Sequence, residues 1–178
     1  MKSDIVNKFE DIYEEQSDAI FRFSLVRVSG RETALDITQE TFLRFWQSLS
    51  KGEEIHNERA FLFTIAHRLI IDWYRKKKSV PFPKVMYEGE EIEYDPVDEQ
   101  TLEVLGLGAE ARYLLSKIDE LPAQAKDPVY LRFVEGLSPP EIGKVLGISG
   151  NAASVRVNRG LVELRKKTGY DNKNGKVK

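Results

Sequence analysis

Between Ser149 and Lys167 the chain carries Asn151, Ser154, Arg156, Asn158 and Arg159 on a stretch whose Ala153, Val157, Leu161 and Leu164 recur at helical spacing. A helix fits the major groove of DNA, where Arg and Asn can bond base edges and cations neutralise phosphate. Arg165, Lys166 and Lys167 prolong the basic run. A second cationic group, Arg75-Lys76-Lys77-Lys78, follows Trp73 and Tyr74. Aromatic rings beside cations suit unstacked bases. All of this is binding chemistry. The chain has no Cys, which removes disulfides, thiolate metal sites and a cysteine nucleophile. His56 lies in a charged loop and His67 within a helix, neither with a second ligand nearby, so no metal is expected. Gly106-x-Gly108-x-x-Ala111 fits the loose dinucleotide pattern, but no strand precedes it and acids surround it. There is no P-loop and no zinc-protease motif. Neither an active site nor a cofactor is expected.

The elements that must position the basic stretch are legible beside it. Ser138 with Glu141 forms a capping box, and Pro139 and Pro140 occupy positions where helix amides have no partner. That helix lasts about two turns before Gly147 supplies a left-handed stop. Ser149 then caps the longer basic helix. Two closely spaced helices, a glycine-containing turn and a basic second helix make a helix-turn-helix. Upstream, Tyr113, Leu114, Ile118 and Leu121 mark a short helix before Pro122, and Val129, Phe133 and Val134 mark another that Gly136 ends.

The first half of the chain also reads as helices. Ile5, Phe9, Ile12, Gln16, Ile20, Phe23 and Arg27 step by three and four until Ser29-Gly30 interrupts them. From Glu32 to Leu49, Leu35, Phe42, Phe45, Trp46 and Leu49 form an apolar stripe opposite a dense polar side of Asp36, Gln39, Glu40, Arg44 and Gln47. Lys51–Glu58 is a polar loop. From Glu58 to Lys77, Leu62, Ile65, Ala66, Leu69 and Trp73 make one stripe, and Phe63, Ile70 and Tyr74 a second. This predicts burial on more than one side, with Trp73 in the core.

Charge divides the 178 residues more sharply than their net of −2 implies. Residues 1–80 hold 13 bases and 13 acids, residues 81–110 one base and nine acids, and residues 111–178 13 bases and 7 acids. The expected fold is all-α: two small helical domains joined by a flexible acidic linker. The boundaries drawn are 1–83 for the first domain, closed by Pro81 and Pro83, then 84–108 for the linker. A helix-turn-helix domain over 109–170 and a basic tail over 171–178 complete the chain. No apolar run is long enough to span a bilayer, and Met1-Lys2-Ser3-Asp4 opens no secretory segment. A soluble cytoplasmic protein is the expectation.

With these residues in place, the chain resembles the extracytoplasmic-function sigma factors of bacterial RNA polymerase. Ala34-Leu35-Asp36-Ile37-Thr38-Gln39-Glu40-Thr41-Phe42-Leu43-Arg44-Phe45-Trp46 is similar to the family's core-binding helix. Phe61 through Arg75 is similar to its promoter-melting helix. Leu121-Pro122, Phe133 to Ser138 and Glu141-Ile142 match its promoter-distal domain. Two departures stand out. Asp127-Pro128 falls where the family helix runs unbroken, so that helix is expected to begin late, with Asp127 as its cap. Ala152, Ala153, Ser154 and Gly160 replace residues that are often larger or basic.

The resemblance implies a transcription initiation factor that binds core RNA polymerase and promoter DNA. Asp36, Gln39, Glu40 and Arg44 would contact polymerase. Lys51, His56 and Asn57 would line a pocket for a flipped downstream-element base, with Tyr74, Arg75, Lys76, Lys77 and Lys78 touching the same DNA. Asn151, Ser154, Arg156, Asn158 and Arg159 would hold the upstream element. Family members often have an anti-sigma partner, and the resemblance extends that expectation here. Two other readings stand beside this one: a free-standing helix-turn-helix regulator, and a polymerase-binding adaptor that does not touch DNA.

Overall fold

A computed structural model describes residues 2–28, 30–78, 93–171 and 176–177. Ser29, Pro81, Pro83 and the first part of the linker lie outside these residues. The chain divides into two compact units, Met1–Glu88 and Gly89–Lys178.

The first unit packs three helices, α1 (Lys2–Leu25), α2 (Arg31–Ser50) and α3 (Glu58–Lys77). Gly30, at φ 97°, makes the break before α2 that a side chain would resist. Ile20 and Phe23 of α1, Phe42 and Phe45 of α2, and Leu62, Phe63, Ile70 and Ile71 of α3 fill the core. Phe23 meets Phe63 edge-on at 5.2 Å, and Phe9, Tyr13, Phe42 and Trp46 form a second aromatic cluster between α1 and α2. Two polar contacts fasten the start of α3 to α1. Arg59 donates to buried Gln16, and Lys8 pairs with Glu58 at 2.6 Å.

The second unit contains α4 (Glu99–Val104), α5 (Ala109–Asp119), α6 (Ala123–Phe133), α7 (Pro139–Leu146) and α8 (Gly150–Thr168). A two-residue antiparallel pair, β1 (Tyr170–Asp171) with β2 (Lys176–Val177), follows α8. The core gathers Leu115, Ile118, Leu121, Val129, Leu131, Ile142, Val145, Ala153, Val157 and Leu164. At Gly143, a Cβ would stand 2.7 Å from the Ile148 carbonyl oxygen, so α7 and the turn after it come together at a spacing only glycine allows. At Gly160 a Cβ would stand 2.4 Å from a Val129 methyl, so α6 and α8 cross with backbone against side chain.

Three sequence expectations change here. The α6 helix does not begin at Asp127: it runs from Ala123 with Pro128 inside it, and buried Asp127 accepts a hydrogen bond from the Tyr94 hydroxyl instead of capping. Pro128 lacks the amide that would reach back one turn, and the surrounding core holds the helix despite that loss. Linker residues from Glu93 on, expected to be flexible with at most a short helix, carry that short helix as α4 and pack on the second unit. Tyr94 and Leu102 are buried there, and the Val97 amide donates to Asp119 at 2.9 Å. Finally, Gly160 is a packing position, not a reading position left small. Its absent side chain would have pointed at α6.

Candidate functional site

In the second unit, the geometry of α8 follows from its caps. The Ser138 hydroxyl accepts from the Glu141 amide while the Glu141 carboxylate accepts from the Ser138 amide, so both members of the capping box start α7. Gly147 closes α7 in the left-handed region at φ 67°, and the Ser149 hydroxyl accepts from the Ala152 amide to start α8. Ala153, Val157, Gly160 and Leu164 fall on one narrow buried arc. The opposite side is therefore presented to solvent as a rigid face. It carries Asn151, Val155, Asn158, Arg159 and Val162. Ser154 and Arg156, both half-buried, flank that face on opposite edges.

Two residues of this face escaped the sequence reading. Val155 is 46 % exposed and Val162 50 % exposed, a placement that core packing does not explain. An exposed apolar side chain amid polar groups has the chemistry to meet a thymine methyl. The signal was available: Val155 and Val162 sit seven apart, two turns on the same side as Asn151 and Asn158.

In the first unit, α2 buries Ala34, Ile37, Thr38, Thr41, Phe42, Phe45 and Leu49. Thr38 and Thr41 donate their hydroxyls to backbone carbonyls one turn back, so they bury without unmet polarity. The solvent side holds Asp36, Gln39 and Arg44, with Glu40 half-buried and paired to Arg44 at 2.7 Å. Leu35, expected on the apolar stripe, is instead exposed, as is Leu43, at 50 %. Leu35, Gln39 and Leu43 succeed each other one turn apart and Trp46 lies half-buried beside them, so this polar side is also apolar.

The end of α3 differs from its expected arrangement. Tyr74 is 1 % exposed and donates its hydroxyl to the Arg27 carbonyl, a core bond that withdraws it from DNA. Arg75 is buried as well, with its guanidinium 3.8 Å from Asp72. Trp73, expected in the core, is half-buried and meets Lys77, whose ammonium stands 5.0 Å from the ring centroid. Tyr74 and not Trp73 fills the core because α3 packs on two sides and Tyr74 falls on the second. Lys76, Lys77 and Lys78 are exposed.

In the loop before α3, Lys51 and His56 are exposed, and His56 lies 3.7 Å from Glu54. Asn57 is not a free reader: its side-chain oxygen accepts from the Ala60 amide at 2.8 Å and caps α3. Glu58 turns toward α1, where the hydrogen bond from Lys8 holds its carboxyl below the ordinary glutamate range despite partial burial. No group of three or more His, Cys, Asp or Glu that could hold a metal ion occurs among the described residues. No described helix is long and apolar enough to cross a membrane.

Residues 12–80 match the family model for Sigma-70 region 2, and residues 111–164 that for Sigma-70, region 4. The chain is 28% identical over 160 residues to the RNA polymerase sigma factor YlaC of Bacillus subtilis, covering 90% of this chain and 91% of that one. It is 30% identical over 149 residues to SigV of the same organism, covering 82% and 81%. Against the ECF RNA polymerase sigma factor BldN of Streptomyces coelicolor it is 36% identical over 147 residues, 78% of this chain and 52% of that one. Among solved structures, the fold is similar to the sigma factor RpoE of Bartonella quintana, crystallised with the anti-sigma factor NepR. The TM-score is 0.62 at 21% identity, over 93% of this chain and 99% of that one. The chain therefore belongs to the extracytoplasmic-function sigma factors, transcription initiation factors that bind core RNA polymerase and direct it to promoters.

Proposed function

We propose that the two solvent faces divide the work of promoter selection. The face of α8 enters the major groove of the upstream element, with Asn151, Asn158, Arg159 and Val155 toward the bases. Ser154 and Arg156, at its edges, meet the two flanking backbones. The mixed stripe of α2 meets core polymerase. Asp36, Gln39 and Arg44 give it polar complementarity, and Leu35 and Leu43 give it apolar anchors. Lys51, His56, Trp73 and Lys76–Lys78 face the downstream element, where Trp73 stacks on an unpaired base and the lysines take phosphate. Asn57, Tyr74 and Arg75 support this surface from within. The protein makes and breaks no bond itself, and polymerase supplies the catalysis.

The observation that carries this reading is the joint exposure, in one chain, of a mixed helix face on α2 and a rigid helix-turn-helix face on α8. A free-standing regulator leaves the first unexplained, and an adaptor leaves the second unexplained. An anti-sigma factor as a further partner is supported by the RpoE–NepR complex, whose sigma subunit shares this fold. The test is run-off transcription from genomic DNA with purified protein and core polymerase. Promoter-specific transcripts are expected. Core binding without transcripts favours the adaptor, and duplex binding without core binding favours the regulator.

A further inference from the structure

The exposed side of α8 is not uniformly polar. Asn151, Val155, Asn158 and Val162 follow one another at steps of four, three and four, and all of them are exposed. At 3.6 residues per turn they form one stripe, opposite the buried arc of Ala153, Val157, Gly160 and Leu164. On helix grounds valine is a poor choice for this stripe. A β-branched side chain is a weaker helix former than Ala, Lys or Glu, and at 46 % and 50 % exposure the two valines return little burial. The same branching suits a surface that a partner must meet. Valine keeps one χ1 rotamer in a helix, so its methyl groups stand at a fixed place and binding them costs little side-chain entropy.

The two valines are not equivalent. Val155 is the sixth residue of α8, between the two asparagines and one turn before exposed Arg159. It lies in the N-terminal part of the helix, the part that a helix-turn-helix sets against base edges. Val162 stands about 10 Å further along the axis. Beside it Glu163 pairs with Lys166 at 3.0 Å, and a carboxylate there opposes the approach of phosphate.

We infer that Val155 is a specificity-determining residue that recognises the C5-methyl group of a thymine in the upstream element. The inference rests on the reading of α8 as the groove helix. In the major groove thymine presents a methyl group where cytosine carries hydrogen, so an isopropyl group packed there distinguishes T·A from C·G. The carboxamides of Asn151 and Asn158, one turn to either side, have the donor and acceptor that match adenine N7 and N6. The stretch around Val155 therefore favours A·T pairs, and Arg159 favours guanine next to them.

Holoenzyme assembled from the full chain and core polymerase tests this. The upstream element is first selected from a randomised promoter library with wild type and with Val155→Ala, which puts a better helix former at an exposed position and leaves the fold in place. Wild type is expected to require thymine on one strand at a defined position, and Val155→Ala to relax that position. The thymine is then replaced by deoxyuridine, which removes the methyl group and nothing else. The replacement should weaken wild-type promoter binding about four-fold, the fold-change that corresponds to burial of one methyl group. It should leave Val155→Ala unaffected, while Val162→Ala keeps the wild-type sensitivity. An element without a required thymine, or wild-type binding indifferent to deoxyuridine, overturns the inference. A loss that persists in Val155→Ala, or one that Val162→Ala abolishes, overturns the assignment to Val155. Selection that enriches no upstream sequence, from a chain that co-elutes with polymerase, overturns the reading of α8 and the inference with it. That outcome is seen before any deoxyuridine is introduced.

Discussion

The C-terminal turns of α3 and the exposed face of α8 look alike in sequence: each sets cations beside groups suited to nucleic acid. Their structures differ. On α8 the buried positions Ala153, Val157, Gly160 and Leu164 occupy one arc, and Asn151, Val155, Asn158, Arg159 and Val162 are exposed on the opposite side. On α3 the buried positions run through Ala60, Leu62, Phe63, Ile65, Ala66, His67, Ile70, Ile71, Tyr74 and Arg75, which leaves little of the circumference outside the core. The lesson is that cationic and aromatic residue types alone do not tell surface from core. Where a helix has two buried sides, some of them, such as Tyr74 and Arg75, become internal struts, while Trp73 and Lys76–Lys78 stay at the surface.

The sharpest way to break that contrast is to attack the single arc of α8. Gly160→Val puts branched carbon where a Cβ already lies 2.4 Å from Val129 and 3.0 Å from Ala125. Overpacking of this kind costs about 1–3 kcal/mol, occasionally more, and the gain in helix propensity over glycine offsets only part of it. Exchange protection across α6–α8 should fall, with upstream-element binding. Both tryptophans, Trp46 and Trp73, lie in the first unit, so their fluorescence transition in urea should stay where it is. Wild-type protection in the variant would show that the crossing is looser than drawn.

Next in size are the arginines of α8. Arg159 is on the open face and Arg156 on its edge, so the two should not behave alike. Arg159→Ala is expected to cost about 1–3 kcal/mol at the preferred upstream element and to relax the preference at one base position. Arg156→Ala should weaken all sequences nearly evenly and reduce the salt dependence. Binding to a randomised upstream element at two salt concentrations separates the cases. If both variants relax one position, the flank is part of the reading face.

On α3, Tyr74→Phe and Trp73→Ala should invert what composition alone suggests. Removing the Tyr74 hydroxyl leaves the buried Arg27 carbonyl without that donor and should cost on the order of 1 kcal/mol of first-unit stability, with promoter opening otherwise intact. Trp73→Ala should leave the fluorescence midpoint, now reported by Trp46, within a smaller shift, yet slow opening of the downstream element. Permanganate reactivity of unpaired thymines in the open complex reads this directly. Opening lost in Tyr74→Phe and kept in Trp73→Ala would restore the roles expected from sequence.

How much of this was legible depended on local chemistry. The capping box at Ser138 and Glu141, the stop at Gly147 and the cap at Ser149 are satisfied by neighbouring backbone, so residue types three positions apart were enough. The arc of α8 was readable in part: Ala153, Val157 and Leu164 lie on it, while Gly160 takes the place expected of Leu161, which is half-buried. Tyr74 was readable only in part: it falls on the second apolar stripe, but the partner of its hydroxyl, the carbonyl of Arg27, is distant in sequence. Asp127 was misread as a cap for the same reason: the residue that satisfies it, Tyr94, is distant in sequence. Leu35 and Leu43 were obscured differently. Leu35 reads as part of the apolar stripe and Leu43 carries no expectation of its own; the burial of Phe42 and Phe45 on the other side shows both to be surface. Long-range pairing and the direction of a helix face are tertiary facts, and they decided each of these cases.

The smallest expected effect lies at the start of α3, where the two-sided packing of that helix begins. Lys8 of α1 donates to Glu58 at 2.6 Å and lowers its pKa from the ordinary 4.5, its hydrogen bond outweighing the effect of burial. A carboxyl whose folded pKa is depressed stabilises the fold fully above its unfolded value. That contribution is lost as pH falls through the folded value. The pair therefore supports the first unit at neutral pH and fades below about pH 4.5. Lys8 is nearly half exposed and Glu58 a quarter exposed, so solvent screening keeps the contribution to roughly 0.2–1 kcal/mol. Lys8→Ala should lower the tryptophan-reported urea midpoint slightly at pH 7, and the difference from wild type should shrink progressively as pH falls below about 4.5. It should also shrink in high salt, since both groups stand near water. Asn57→Ala makes the control: it removes an uncharged cap from the same turn, so its cost, about 1 kcal/mol, should not vary with pH across that window. A Lys8→Ala deficit that stays constant as pH falls from 7 to well below 4.5 would mean that something other than the ion pair, such as contacts of the lysine's alkyl chain, holds this corner.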